Sequence, residues 1–172
     1  MRVATIKRLV KTAETLNQQK DILGAFALYW IAYEGLWARG LVKALWLRGC
    51  KVKDAEKFVE TWSSKDPIAF LAKVTGTAVN SSPIYDLARN NYQLRSCLFH
   101  RGIENKGLMK SMIGAFVGLF RNPTILFRGV EVSLIDANGK TQLVAIGNPL
   151  NIVRRTKELH KPKAQKPENI VN

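Results

Sequence analysis

The segment ILGAFALYWIAYEGLWARGL, residues 22–41, most constrains the fold because it is apolar on nearly every face of a helix. It is as long as a bilayer span of about 20 residues. However, Glu34 and Arg39 lie within it, and its aromatic residues are spread along it instead of collecting at two interfaces. We therefore expect no membrane span, and a buried helix from Asp21 as N-cap to about Leu47, at the centre of a bundle or against a partner chain.

The rest of the N-terminal two thirds also has helical periodicity. Residues 3–19 place apolar side chains at three- and four-residue steps, which is typical of an amphipathic helix. Proline near the start and glycine after the end mark other helices. Four further helices are predicted over residues 52–62, 66–76, 82–102 and 106–122. The predicted fold is thus mostly α, a bundle of about five to six helices over residues 1–123.

The pattern changes after Pro123. Alternating β-branched residues flank Asn138-Gly139, which is the strongest local signal for a β-hairpin. We expect a two-stranded unit over residues 124–147, within a segment 124–149 that packs on the bundle, since an isolated hairpin is only marginally stable. Residues 150–172 are rich in Lys and Pro and are expected to form a basic, flexible, disordered tail.

The charge balance indicates a polyanionic partner. Lys and Arg number 27 against 13 Asp and Glu, a net charge of +14, and each phosphate that a basic side chain neutralises releases a counterion. RNA is the expected partner, although a generic basic surface or an anionic membrane would fit the same charge. Cys50 and Cys97 form no C-x-x-C motif and accompany no His pair, so we expect a reduced, cytoplasmic protein without a metal site or cofactor.

Two segments together carry a family resemblance. The helix FALYWIAYEGLW and the later YDLARNNYQLRSCLFHRG resemble the HEPN superfamily, helical domains of prokaryotic toxins, abortive-infection proteins and RNA-guided defence nucleases. The family motif is Arg, four to six residues of which the first is usually polar, then His. Arg95, Ser96 and His100 match its shortest spacing, and Arg101 belongs to an exit similar to the family's His-Gly. No Tyr follows His100 by two residues, so the variant that pairs with nucleotidyltransferase antitoxins is not supported.

The resemblance implies a metal-independent endoribonuclease that cleaves single-stranded or structured RNA, in toxin–antitoxin or antiviral defence, with an antitoxin as a further partner. Histidine can carry either proton step, and Arg95 can bind phosphate oxygens. On an ideal helix Arg95 and His100 lie about 140° apart, so they converge only if the helix frays or two chains combine. The family uses a homodimer with a composite active site, and an isologous interface would supply two histidines.

Other residues are candidates for supporting roles. Glu34 would hold Arg95 or tune His100, or else form a structural ion pair. Arg89 falls near the stripe of Ser96 and His100 and would be a second phosphate ligand, unless it is solvated or ion-paired. Tyr92 would stack on a base or pack in the core, and Arg101 would contact RNA.

Two other functions remain open at this point. The chain would also fit a noncatalytic HEPN-like module that binds nucleic acid or a protein, with Arg95 and His100 serving only packing. A protein that lies on a membrane interface through its aromatic helix is a third reading.

Overall fold

The structure is a computed structural model that describes residues 1–61, 67–76 and 104–152, together with single positions between 87 and 102. Its elements confirm a mostly helical chain with a small C-terminal hairpin. They are α1 (Val3–Gln18), α2 (Ile22–Leu47), α3 (Val52–Thr61), α4 (Pro67–Thr75), α5 (Lys106–Arg121), a 3₁₀ helix (Pro123–Phe127), β1 (Glu131–Ile135) and β2 (Thr141–Ala145). The predicted tail from residue 153 onwards lies outside the described residues.

The long apolar helix α2 is the centre of the bundle. The Asp21 side chain caps its start by accepting a hydrogen bond from the backbone N–H of Gly24 at 2.9 Å. Its buried side chains point to several faces, and α2 contacts each of the other labelled helices and β1. Within the described part of the chain, no helix is both long and apolar enough to cross a membrane.

Aromatic side chains form the layer between α2 and α5. Tyr33 packs against Phe116 with ring centroids 5.6 Å apart, and Tyr29 stacks on the same ring at 6.0 Å. Phe26 approaches Phe116 from the same helix, at 6.3 Å. Because large buried rings remove much apolar surface from water, this layer is a main source of stability for the bundle.

The hairpin is shorter than the predicted span of residues 124–147. The chain instead forms a 3₁₀ helix from Pro123, because proline fixes φ and lacks an N–H for a strand ladder. Leu126 and Phe127 are both buried, so the alternation expected of a strand is absent there. The strands pair from Glu131 opposite Ala145 to Ile135 opposite Thr141.

The turn of the hairpin contains Asn138-Gly139, as predicted. The connection begins at Asp136, whose carbonyl accepts a hydrogen bond from the N–H of Gly139 at 3.0 Å. The Asp136 carboxylate also accepts the backbone N–H groups of Asn138 and Lys140, each at 2.9 Å. Asp136 thus fixes the turn through its side chain as well as its backbone.

One face of the hairpin packs on the helices. Val132 and Ile146 are fully buried in the common hydrophobic core. The Lys43 ammonium on α2 donates to the carbonyl of Asn148 at 2.8 Å, just after β2. The outer face carries Ile135 and Leu143, which are exposed. The inner face of the hairpin therefore contributes to the common hydrophobic core.

Candidate functional site

The predicted catalytic residues Arg95 and His100 lie outside the described residues, as do Ser96 and Arg89. Several positions near them in the chain are described. Leu87, Tyr92, Leu94, Cys97, Leu98 and Arg101 are all helical. Leu94 is only 2% exposed and belongs to the common core, and Leu87 and Leu98 pack against that core. Leu87, Leu94 and Leu98 therefore contact the bundle through one apolar stripe.

The helical segment ends where the sequence predicts. Gly102 has φ of 63°, a left-handed conformation that costs glycine little. Its N–H donates to the carbonyl of Leu98 at 3.1 Å, which satisfies one of the last carbonyls of the helix. The predicted motif therefore immediately precedes a defined helix end.

Two predicted RNA-binding side chains are accessible. Tyr92 is 68% exposed, one of the most exposed large hydrophobic residues in the described chain. Its ring therefore does not fill the core, which leaves stacking on a base as an available role. Arg101 is also exposed, in the last helical position before Gly102.

Glu34 lies half-buried on α2 within the aromatic segment. Burial raises the pKa of the neighbouring Tyr33 hydroxyl, and the negative charge of Glu34 raises that pKa further. Trp30 and Tyr33 share one hydrophobic core with Leu94. The structure thus brings the aromatic segment of α2 and Leu94 into the same core.

An ion pair with a buried arginine, which the sequence did not predict, joins α2 to α3. Arg39 is 7% exposed, and its guanidinium donates to the carboxylate of Glu56. The sequence shows Arg39 only as a charge inside an apolar helix, and nothing in that helix reveals a partner seventeen residues later. The pair holds α3 against the centre of the bundle.

Basic side chains surround two concavities on the described surface. Arg2, Lys53 and Lys57 line a space of about 260 Å³ together with Glu56 and Glu60. A second space of about 500 Å³ lies at the starts of α2 and α5. Its charged lining residues are Lys20, Lys106 and Lys110 with Asp21 and Glu104.

The first concavity has the larger cationic excess. Glu56 also binds the buried Arg39, which offsets its charge, so Glu60 is left to oppose three basic side chains. In the second concavity, three lysines face two carboxylates.

The described residues contain no group of three or more His, Cys, Asp or Glu side chains placed to hold a metal ion. No protein-family model, no curated protein and no solved structure matches this chain. The HEPN resemblance therefore stays a prediction from the residues themselves.

Proposed function

We propose that this protein is a metal-independent endoribonuclease of HEPN type, with Arg95 and His100 as the catalytic residues. One observation carries the proposal: Leu94, the residue before Arg95, is buried in the core, and Gly102, two residues after His100, has the left-handed conformation that is common at helix ends. A buried neighbour in the chain favours the rigid support that a catalytic group needs.

The charge of the described surface supports RNA as the substrate. Cationic residues are distributed over α1, α3, α5 and the turn of the hairpin. A polyanion gains affinity from each phosphate that such a surface neutralises, and its association is accelerated by the long-range field.

The proposed reaction is an attack of the ribose 2′-oxygen on the adjacent phosphorus. The P–O5′ bond breaks as the new P–O2′ bond forms, which leaves a 2′,3′-cyclic phosphate and a free 5′-hydroxyl. A histidine accepts the 2′ proton and a second proton carrier protonates the departing 5′-oxygen. Arg95 would neutralise charge on the phosphorane. Because one chain supplies one His in the motif, His100 of a second copy is the proposed second proton carrier.

Paired histidine variants test the assignment. His100→Ala is expected to lower RNA cleavage by about 10² to 10⁴, the usual contribution of general acid–base catalysis. His160→Ala removes the other histidine of the chain and should leave the rate unchanged. Arg95→Ala should lose nearly as much as His100→Ala, and addition of EDTA should have no effect.

The same variants need a folding measurement, because a packing role for His100 predicts a different result. If His100→Ala lowers the melting temperature and cleavage falls only in proportion to the unfolded fraction, the residue is structural. A folded His100→Ala protein that cleaves RNA at the parental rate would refute the proposed site.

A noncatalytic RNA-binding module is the second candidate, favoured by the basic concavity of Arg2, Lys53 and Lys57. It predicts that the parent protein binds RNA and produces no cyclic phosphate at any protein concentration. Product analysis of the parent protein distinguishes the two functions.

A further inference from the structure

The exposed surface of α3 combines positive charge with an accessible aromatic ring. Lys53 and Lys57 are both exposed and one helical turn apart. Phe58 is 44% exposed although it is a large apolar side chain, and it lies about 100° around the helix from Lys57. Basic side chains and an exposed ring on one surface are features with which proteins bind single-stranded nucleic acid.

The charges on this surface converge on one concavity. Lys53 and Lys57 line it from α3, and Arg2 lines it from the residue before α1. Four residues advance about 6 Å along a helix, so the two lysines can bind different phosphates of one strand. Glu60 and the exposed Asp54 of α3 reduce the positive charge of the three basic side chains without cancelling it, since Glu56 binds Arg39.

The ring of Phe58 is held in place by a second ring. Phe58 and Phe70 of α4 are stacked, with centroids 5.8 Å apart and planes inclined by 29°. Phe70 is half-buried and packs against the common core. Phe58 is therefore supported from behind and still offers surface to solvent, which gives an unpaired base a preformed stacking partner.

We propose that α3 is a docking surface for single-stranded RNA, with Arg2, Lys53 and Lys57 on the phosphates and Phe58 stacked on a base. This inference rests on the proposed function for its choice of ligand. It adds a contact site on an element that does not carry the catalytic motif, so that substrate is held at two places. It also names unpaired RNA as the preferred substrate class, since the bases of a duplex cannot reach Phe58.

The phosphate contacts are tested with a charge-matched pair of double variants. The probe is a fluorescent single-stranded 2′-O-methyl oligoribonucleotide, which lacks the nucleophile and cannot be cleaved. Lys53→Gln/Lys57→Gln should weaken binding at least about tenfold at 0.1 M salt, and the slope of log K against log salt should fall by about 1.4. Lys7→Gln/Lys11→Gln removes the same charge at the same spacing from exposed positions of α1. Equal losses in both double variants would overturn the proposal.

The stacking contact is tested at Phe58. Phe58→Leu keeps an apolar side chain against Phe70 and loses the ring, so binding of the single-stranded probe should fall about fivefold or more. Phe58→Tyr keeps the ring and should bind as the parent does. Unchanged binding by Phe58→Leu, or equal affinity of the parent for the same sequence as a duplex, would remove the base contact.

Cleavage of an unmodified RNA separates this inference from the proposed function. If the parent cleaves RNA and the α3 variants bind the probe as the parent does, the proposed docking surface is contradicted and the proposed nuclease function is retained. If the α3 variants lose binding and the parent does not cleave, the surface stands and the nuclease is wrong.

Discussion

Arg39 on α2 and Glu56 on α3 form an ion pair in which the guanidinium is buried and the carboxylate is partly open to solvent. The two side chains are 8% and 42% exposed. The Arg39 Nε is buried and has no hydrogen-bond partner among the described residues, so Glu56 provides the principal described compensation for this charge. Loss of the Glu56 carboxylate would therefore leave the buried charge of Arg39 without this compensation.

Glu56→Gln should therefore destabilise the fold. Removing one partner of a fully buried pair costs about 3–5 kcal/mol, but solvent reaches Glu56 and screens the interaction, so we expect about 1–2 kcal/mol. Glu60→Gln, one turn later on the same helix and exposed, is the control and should cost less than about 0.5 kcal/mol. Urea unfolding of the three proteins measures both values. Equal stabilities of the two variants would contradict a structural role for the pair.

Gly40 allows α2 to approach the ring of Phe127 closely. A Cβ atom at position 40 would overlap that ring, so Gly40→Ala should destabilise the protein by about 1–3 kcal/mol despite the better helix propensity of alanine. Gly114→Ala on α5 is the matched control, because nothing lies within 4 Å of the added Cβ. That variant should gain about 0.5–1 kcal/mol. Thermal unfolding should shift in opposite directions for the two variants, and a common direction would refute the close approach.

Lys43 should make stability depend on pH in the alkaline range. Burial lowers the pKa of its ammonium group below the ordinary lysine value of 10.5. The unfolded state then binds more protons than the folded state between the two pKa values, so this residue makes stability rise as pH increases towards 10.5. In Lys43→Met this contribution is absent, and the gain on raising the pH should be smaller than in the parent. Urea unfolding between neutral pH and pH 10.5 measures the difference, and identical pH profiles would contradict the burial of this charge.

The sequence predicted those helix ends and turns that depend on a few neighbouring residues. Asp21 marks the start of α2, Gly102 the end of the helical segment, and Asn138-Gly139 the turn, because caps and turns depend on a few neighbouring residues. The strand predicted from residue 124 was wrong, since Pro123 and two consecutive buried side chains impose a 3₁₀ helix.

Contacts between distant parts of the chain had no signal in the sequence. The partner of Arg39 lies on another helix, and the carbonyl that Lys43 binds lies 105 residues later. The concavity of Arg2, Lys53 and Lys57 depends on the placement of the residues before α1 beside α3. Periodicity indicates which face of a helix is buried, whereas the side chains that meet across helices are set by tertiary packing.

Removing residues 156–172 should weaken RNA binding with little effect on folding. The segment carries Lys157, Lys161, Lys163 and Lys166 against two Glu residues. Loss of these charges should reduce the slope of log K against log salt by up to about 0.7 for each phosphate contact that is lost on single-stranded RNA. The thermal midpoint should barely change. Replacement of the four lysines by glutamine should reproduce the binding effect in a full-length chain, and a large drop in the midpoint on truncation would show that the segment docks.

The proposed composite active site requires a homodimer. Light scattering at micromolar concentration should give about twice the chain mass of 19.3 kDa. Mixed subunits then provide a functional test: parent and His100→Ala chains, unfolded and refolded together, form a mixed dimer that holds one His100 and lacks the second proton carrier. This mixed dimer should cleave RNA at only a small fraction of the parental rate. The parent refolded by itself is the control. A monomer in light scattering, or a verified mixed dimer that keeps about half of the parental rate, would contradict the composite site.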